Sequence, residues 1–106
     1  MVKTSSGLEE NIAGLLCYVV GWLTGLLFIL LEKENKFVRF HAFQSIATFA
    51  PLHILQIILG GVGLGTIGYL VGILALVLGI ILIIKAYKGE RYKLPFVGDW
   101  AEKQVQ

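Results

Sequence analysis

The sequence predicts an all-α integral membrane protein: three transmembrane helices in a small bundle, then a short interfacial tail, all in a single membrane domain spanning residues 1–106. Three observations predict it. First, 57% of the 106 residues are hydrophobic and 15% are charged, where a soluble domain carries about 25% charged residues. Second, the apolar residues come in blocks, since residues 11–31 and 40–84 contain no Asp, Glu, Lys or Arg. A helix needs about 20 apolar residues to cross a hydrocarbon core of about 30 Å, so the first block has room for one crossing and the second for two. Third, with three crossings Lys33, Lys36, Arg39, Lys85, Lys88, Arg91, Lys93 and Lys103 share one side and leave Lys3 on the other. Such a bias places the basic loops in the cytoplasm. The expectation is a multi-pass protein of the cell membrane with its N-terminus outside and its C-terminus cytoplasmic.

The first span is expected at about 11–31. Ser6-Gly7-Leu8-Glu9 fits a capping box ahead of it. A cleaved signal peptide is the rival, but Glu9 and Glu10 give the wrong charge, the apolar run is longer than a signal core, and no A-x-A site follows. Gly21 and Gly25 form a G-x-x-x-G, which lets another backbone approach, either within the chain or across a homodimer face. Cys17 has no partner for a disulfide and is expected to pack among helices.

The second span is expected at about 37–59, kinked at Pro51, which removes a backbone donor and crowds the Ala47 carbonyl. Phe37, Arg39 and Phe40 open it as an interfacial anchor, with the rings at the boundary and the Arg stem reaching back to water. Measured in 100° steps from His41, Ser45 and Thr48 lie within about 40° and Gln44 and Gln56 within about 60°. His53 sits off the stripe at about 120°, three residues before Gln56. Hydrocarbon offers these groups no partner, so this face should look at other helices.

The glycine-rich stretch 60–65 forms the turn to a third span at about 66–84. It lacks the Lys-Ser/Thr of a phosphate-binding loop. Gly65, Gly68, Gly72, Ala75 and Gly79 fall within about 80° on one face, the strongest packing signal in the chain. Gly89 suits the position just past the helix end. The cytoplasmic tail, 85–106, should be irregular around Pro95, with an N-cap at Asp99 for a short terminal helix and Trp100 as an interfacial anchor.

Several functions are disfavoured. A net charge of +2 without an interleaved basic patch gives no reason to expect nucleic acid as a partner. His41 and His53 stand ~18 Å apart along a straight helix, too far to share one ion, so neither a metal nor another cofactor is expected. The acidic residues lie in loops and near the termini, with no nucleophile–base grouping, and the chain is not expected to be an enzyme. His41, placed near the interface, could titrate near neutral pH and serve as a pH sensor.

The runs Leu16-Cys17-Tyr18, Gly21-Trp22-Leu23-Thr24-Gly25, Glu32-Lys33 and Phe37-Val38-Arg39-Phe40-His41-Ala42-Phe43-Gln44-Ser45, with Tyr92-Lys93-Leu94-Pro95 and Gly98-Asp99-Trp100-Ala101-Glu102 near the end, resemble a family of small uncharacterised prokaryotic membrane proteins. These are related to the chloroplast inner-envelope import translocon protein of about twenty kilodaltons. The resemblance implies a helical membrane protein and, by its chloroplast relative, a translocon-like role. The expected function is a structural or interaction module that sits in the lipid bilayer and assembles with itself or a membrane-protein partner. The alternative is an oligomeric channel or transporter that uses the polar face of the second span, His41–Gln56, to pass protons, ions or a small solute. The candidate functional or interface residues are Arg39, His41, Gln44, Ser45, Thr48, His53 and Gln56.

Overall fold

The computed structural model describes residues 8–105, and all its regular structure is helical. The elements are α1 (Glu10–Leu16), α2 (Trp22–Leu31), α3 (Lys36–Gly61), α4 (Gly65–Tyr87) and α5 (Val97–Gln104). Two of them, α3 and α4, are long and apolar enough to cross a membrane. At 26 and 23 residues they measure about 39 and 35 Å. They form an antiparallel hairpin and set the long dimension of the molecule, 46 Å.

The expected first span does not form. The block breaks at residues 17–21 into two short helices of 7 and 10 residues, neither of which reaches across a core of about 30 Å. Their neighbours give their directions. Along α1 the contacts climb α3: Gly14 lies against Phe37, the Cys17 thiol donates to the Val38 carbonyl, the Tyr18 hydroxyl meets His41, and Ser45 donates to the Gly21 carbonyl. Trp22 then reaches His53. Along α2 the contacts descend again, with Gly25 against Ala42 and Ser45 and the Ile29 and Glu32 carbonyls on Arg39. The two arms form a hairpin whose start and finish lie at the same end of α3.

That end also gathers the start of α3 and the end of α4. Asn35 donates from its side-chain amide to Glu10 at 3.0 Å, and Asn11 donates to the Tyr87 carbonyl at 3.0 Å. The start of α1 and the end of α4 are therefore on one side. The described part of the expected first span therefore starts and finishes at the end where α3 begins and α4 finishes, where a single crossing would have separated its two ends. The arms straddle α3, with α1 lying between α3 and α4. Among the described residues, α2 packs on α3 and does not reach α4.

A break at membrane depth requires its backbone groups to be satisfied inside the protein. Here the amides of Tyr18 and Val19 bond to the Leu15 and Leu16 carbonyls in tight turns. Thr24 Oγ1 accepts from the Val20 amide and donates to the Gly21 carbonyl, which also accepts from Ser45 at 2.8 Å. Gly21 itself has φ +58° and ψ −134°, a conformation that glycine alone adopts without strain.

Several other boundaries follow sequence chemistry. Asn35 caps α3 by accepting from the Val38 amide, and Pro51 lies inside α3 without ending it. Gly89, at φ +79°, closes α4 as expected, with the Glu90 amide on the Lys85 carbonyl and the Gly89 amide on Ala86. The capping box at Ser6 falls outside the described residues, and Glu9 stands at the start of α1 without a side-chain cap. Helix α5 starts earlier than expected. Phe96, at φ +66°, precedes it, and Asp99 sits in its first turn instead of at the cap.

Candidate functional site

Four residues of the expected polar face, His41, Gln44, Ser45 and Thr48, are brought to the basic half of the molecule or its middle, and they face inward. His41, Gln44 and Ser45 are fully buried, as is Phe40 beside them. After α4 the chain turns back as an extended segment, residues 90–94, which runs across α3 at His41 and Gln44. His41 Nε2 lies 3.0 Å from the Glu90 carbonyl. Gln44 donates to the Tyr92 carbonyl at 2.9 Å and accepts from the Leu94 amide at 3.0 Å. The backbone groups of residues 90, 92 and 94 point inward to this pair of side chains, while the Glu90 and Tyr92 side chains are exposed.

The donors and acceptors fix the proton positions. A carbonyl only accepts, so His41 carries its proton on Nε2 and its Nδ1 accepts from the Tyr18 hydroxyl at 2.6 Å. The Tyr18 oxygen in turn accepts from the Gln44 amide at 3.1 Å. Leu94, Gln44, Tyr18, His41 and Glu90 thus form one directed chain that joins the hairpin, α3 and the tail. The rings of Phe37, Phe40 and Tyr18 pack edge-on around the imidazole. His41 is therefore not the exposed interfacial group that a pH sensor would need.

Arg39 also differs from expectation. It donates to the Ile29 and Glu32 carbonyls at 3.2 and 2.8 Å, capping the C-terminal end of α2, where a cation is favoured. Its guanidinium stacks over Phe43, which meets Trp100 of α5 edge-on. Buried Glu32 accepts from the Glu34 and Asn35 amides and shapes the loop between α2 and α3. Thr48 is nearly buried, and its hydroxyl lacks a hydrogen-bond partner among the described residues.

The other two polar residues lie nearer the turn at 62–64. His53 Nδ1 accepts from the Trp22 indole at 3.2 Å, and Gln56 donates to the Gly68 carbonyl at 3.2 Å. Of the glycine face, Gly68, Gly72 and Gly79 pack on α3, where a methyl would meet Gln56, Leu59 or Phe49, whereas Gly65 faces open space. Gly25 approaches α3 so closely that a Cβ would lie 2.9 Å from the Ala42 carbonyl. The pair Gly21 and Gly25 is thus one turn residue and one packing residue.

Sequence reasoning did not find the partners on the tail. Lys93 bonds Glu102 at 2.8 Å with Asp99 close by, and these carboxylates hold its amine above the ordinary lysine pKa. A Cβ on Gly98 would lie 2.5 Å from Lys93 Cα, so α5 packs directly on the backbone of the tail. Helix α5 is fixed to α3 by Phe40, Phe43, Ala101 and Val105.

The fold and its buried network define a helical membrane protein, with two long apolar helices and a hairpin held by side-chain bonds to backbone. Over residues 6–101 the chain matches the magnetosome magnetite crystal formation protein family (MamF_MmsF), and it belongs to that family. It is 53% identical to a UPF0132 membrane protein of Methanocaldococcus jannaschii, over all of this chain and 97% of the relative. A UPF0132 membrane protein of Archaeoglobus fulgidus is 47% identical over 92% of this chain and 97% of its own length. A second M. jannaschii protein of that description is 46% identical over 92% of this chain and 71% of its own. No solved structure matches the chain.

Proposed function

We propose that this chain is a non-catalytic membrane module that assembles with itself or with another membrane protein, its basic end at the cytoplasmic face. One observation carries this reading. His41, Gln44 and Ser45, the buried part of the face that could line a path, are taken up in holding the protein's own segments, from the tail on His41 and Gln44 to the hairpin tip on Ser45. What faces outward beyond the tip is a two-helix stalk with exposed Ile54, Ile57, Ile58, Ile67, Leu70 and Ile73. A stalk of two helices buries little of its own surface, and lateral association would complete it through van der Waals packing.

The cytoplasmic placement rests on the basic loops, all of which lie at the end where α3 begins and α4 finishes. A permeation path, or the translocon-like role implied by the resemblance, would need the α3 face to open. Opening would break the bonds to residues 90–94. Magnetite crystal formation, named in the family's description, calls for carboxylates free to meet iron or mineral. Glu90, Asp99 and Glu102 stand beside lysines in exposed pairs, which are weak, and Glu90 and Asp99 are 50% and 72% exposed.

Association is tested with single cysteines at Ile57 and Leu70, oxidised in native membranes, since Cys17 is buried. A crosslinked dimer or a crosslinked partner is the expected result. Strictly monomeric behaviour in several lipids, with no co-purifying protein, would sink the reading. In liposomes, solute flux abolished by His41→Ala and Gln44→Ala would favour permeation instead.

A further inference from the structure

Because the hairpin turns back halfway along α3, it leaves an open groove beyond its tip. The space measures about 310 Å3 and lies among Gly21 and Trp22 of the tip, Phe49, His53 and Gln56 of α3, and Ala75 of α4. Small-molecule sites begin at about 300 Å3. A second cavity of about 310 Å3 adjoins it, sharing Gly21, Phe49 and Ala75 and continuing along α4 to Gly79 and Ile83. The walls are apolar apart from one group of side chains.

That group leaves one donor and one acceptor unused. The Trp22 indole N–H donates to His53 Nδ1, so Nδ1 carries no proton and the neutral ring keeps its proton on Nε2. Among the described residues nothing accepts from Nε2. Three residues on, Gln56 donates its amide to the Gly68 carbonyl. Its Oε1 receives no hydrogen bond among the described residues. Positions three apart on a helix are neighbours, about 5–6 Å between Cβ atoms. Lipid tails can satisfy neither atom.

His53 is exposed and Gln56 half-buried, both on this lining, and a hydroxyl has the donor and the acceptor to serve both, accepting from His53 Nε2 and donating to Gln56 Oε1. A ketone or ester oxygen would leave the Gln56 acceptor unmet. A carboxylate or phosphate would bring a bare charge to walls that hold no Lys or Arg. We propose that the hairpin tip binds a lipid-soluble alcohol, an apolar chain with one hydroxyl. The hydroxyl sits between His53 and Gln56, and the chain lies along α4 in the adjoining cavity.

The test uses the full chain in phosphatidylcholine nanodiscs with Trp100→Phe, so that Trp22 is the remaining indole. The probe is 11-bromoundecan-1-ol, whose bromine quenches indole fluorescence, compared with 1-bromoundecane, which has the same chain without the hydroxyl. The expected result is saturable quenching by the alcohol and about five- to tenfold weaker half-saturation for the bromoalkane, the worth of one or two hydrogen bonds. Gln56→Leu keeps the Trp22–His53 bond and should weaken the alcohol by a similar factor. Ala75→Phe fills the cavity from α4 without touching the polar pair and should abolish saturation. Equal quenching by alcohol and bromoalkane, or quenching linear in the amount dissolved in the bilayer, would overturn the proposal. So would an Ala75→Phe protein that melts normally and still saturates.

Discussion

Gln44 is the residue through which three parts of the chain meet. Its amide donates to Tyr18 and to the Tyr92 carbonyl, and its oxygen accepts from the Leu94 amide. Replacing it with leucine leaves buried partners unsatisfied, at about 1–3 kcal/mol for each group that cannot find water. We expect Gln44→Leu to lower stability by about 2 kcal/mol or more, since some of the tail can rehydrate. Unfolding in mixed micelles reads the loss. Limited trypsin digestion reads its cause, because a released tail exposes Arg91 and Lys93 to cleavage. A variant with unchanged stability and unchanged cleavage would mean that the network does not hold the tail. The angular spacing put His41, Gln44, Ser45, Thr48 and Gln56 on an inward face; the first three are fully buried, Thr48 is nearly so, and Gln56 is half-buried. What the spacing could not give was the partners. They are mostly backbone groups of Gly21, Glu90, Tyr92 and Leu94, and a carbonyl carries no mark of its residue type.

At the scale of elements, the apolar block 11–31 was legible as membrane-embedded but not as a hairpin. Hydropathy sums along the chain and cannot tell one helix of 21 residues from two short helices joined by a turn. The information lay in Gly21, read as half of a packing motif, and in Thr24, three residues later. The glycine supplies the positive φ, and the threonine bonds the groups that the turn frees. Gly21→Ala should therefore lower stability by about 1–3 kcal/mol, the usual penalty for a strained backbone region. Gly65→Ala is the control. It lies in the first turn of α4, where a methyl meets open space, so it should be neutral or stabilising by up to about 1 kcal/mol. Both are measured as unfolding midpoints under one set of micelle conditions. If Gly21→Ala behaved like Gly65→Ala, the hairpin turn would not depend on the glycine. By contrast, the ends of α3 and α4 lie within a few residues of the expected spans, and Gly89 closes α4 as the sequence suggested, whereas the Asn35 cap of α3 was not read from the sequence.

For the whole molecule, a first block that turns back would put the start of α1 on the side of the basic loops, whereas a first block that spans would put it on the other, and neither moves a loop that follows α1. Eight of the nine Lys and Arg residues follow α1 in sequence. They share a side whether the first block crosses once or returns, since α2 ends next to α3 in either case. The charge bias, strong as it is, is therefore blind to the difference, and inferring three crossings from it added an assumption about the block's length. The hydrogen bonds Asn35 to Glu10 and Asn11 to Tyr87 decide the geometry instead, by tying the start of α1 to the start of α3 and the end of α4. The consequence can be measured in membranes. Cysteines placed at Leu8, Lys33, Lys103 and Val62 are exposed positions for an impermeant maleimide, while Cys17 stays buried. Leu8→Cys, Lys33→Cys and Lys103→Cys should label from one face of the membrane and Val62→Cys from the other. In a three-span protein Leu8→Cys would instead label together with Val62→Cys. Labelling intact cells against inverted vesicles then shows which face is cytoplasmic, and the basic end should be the one that reacts in inverted vesicles.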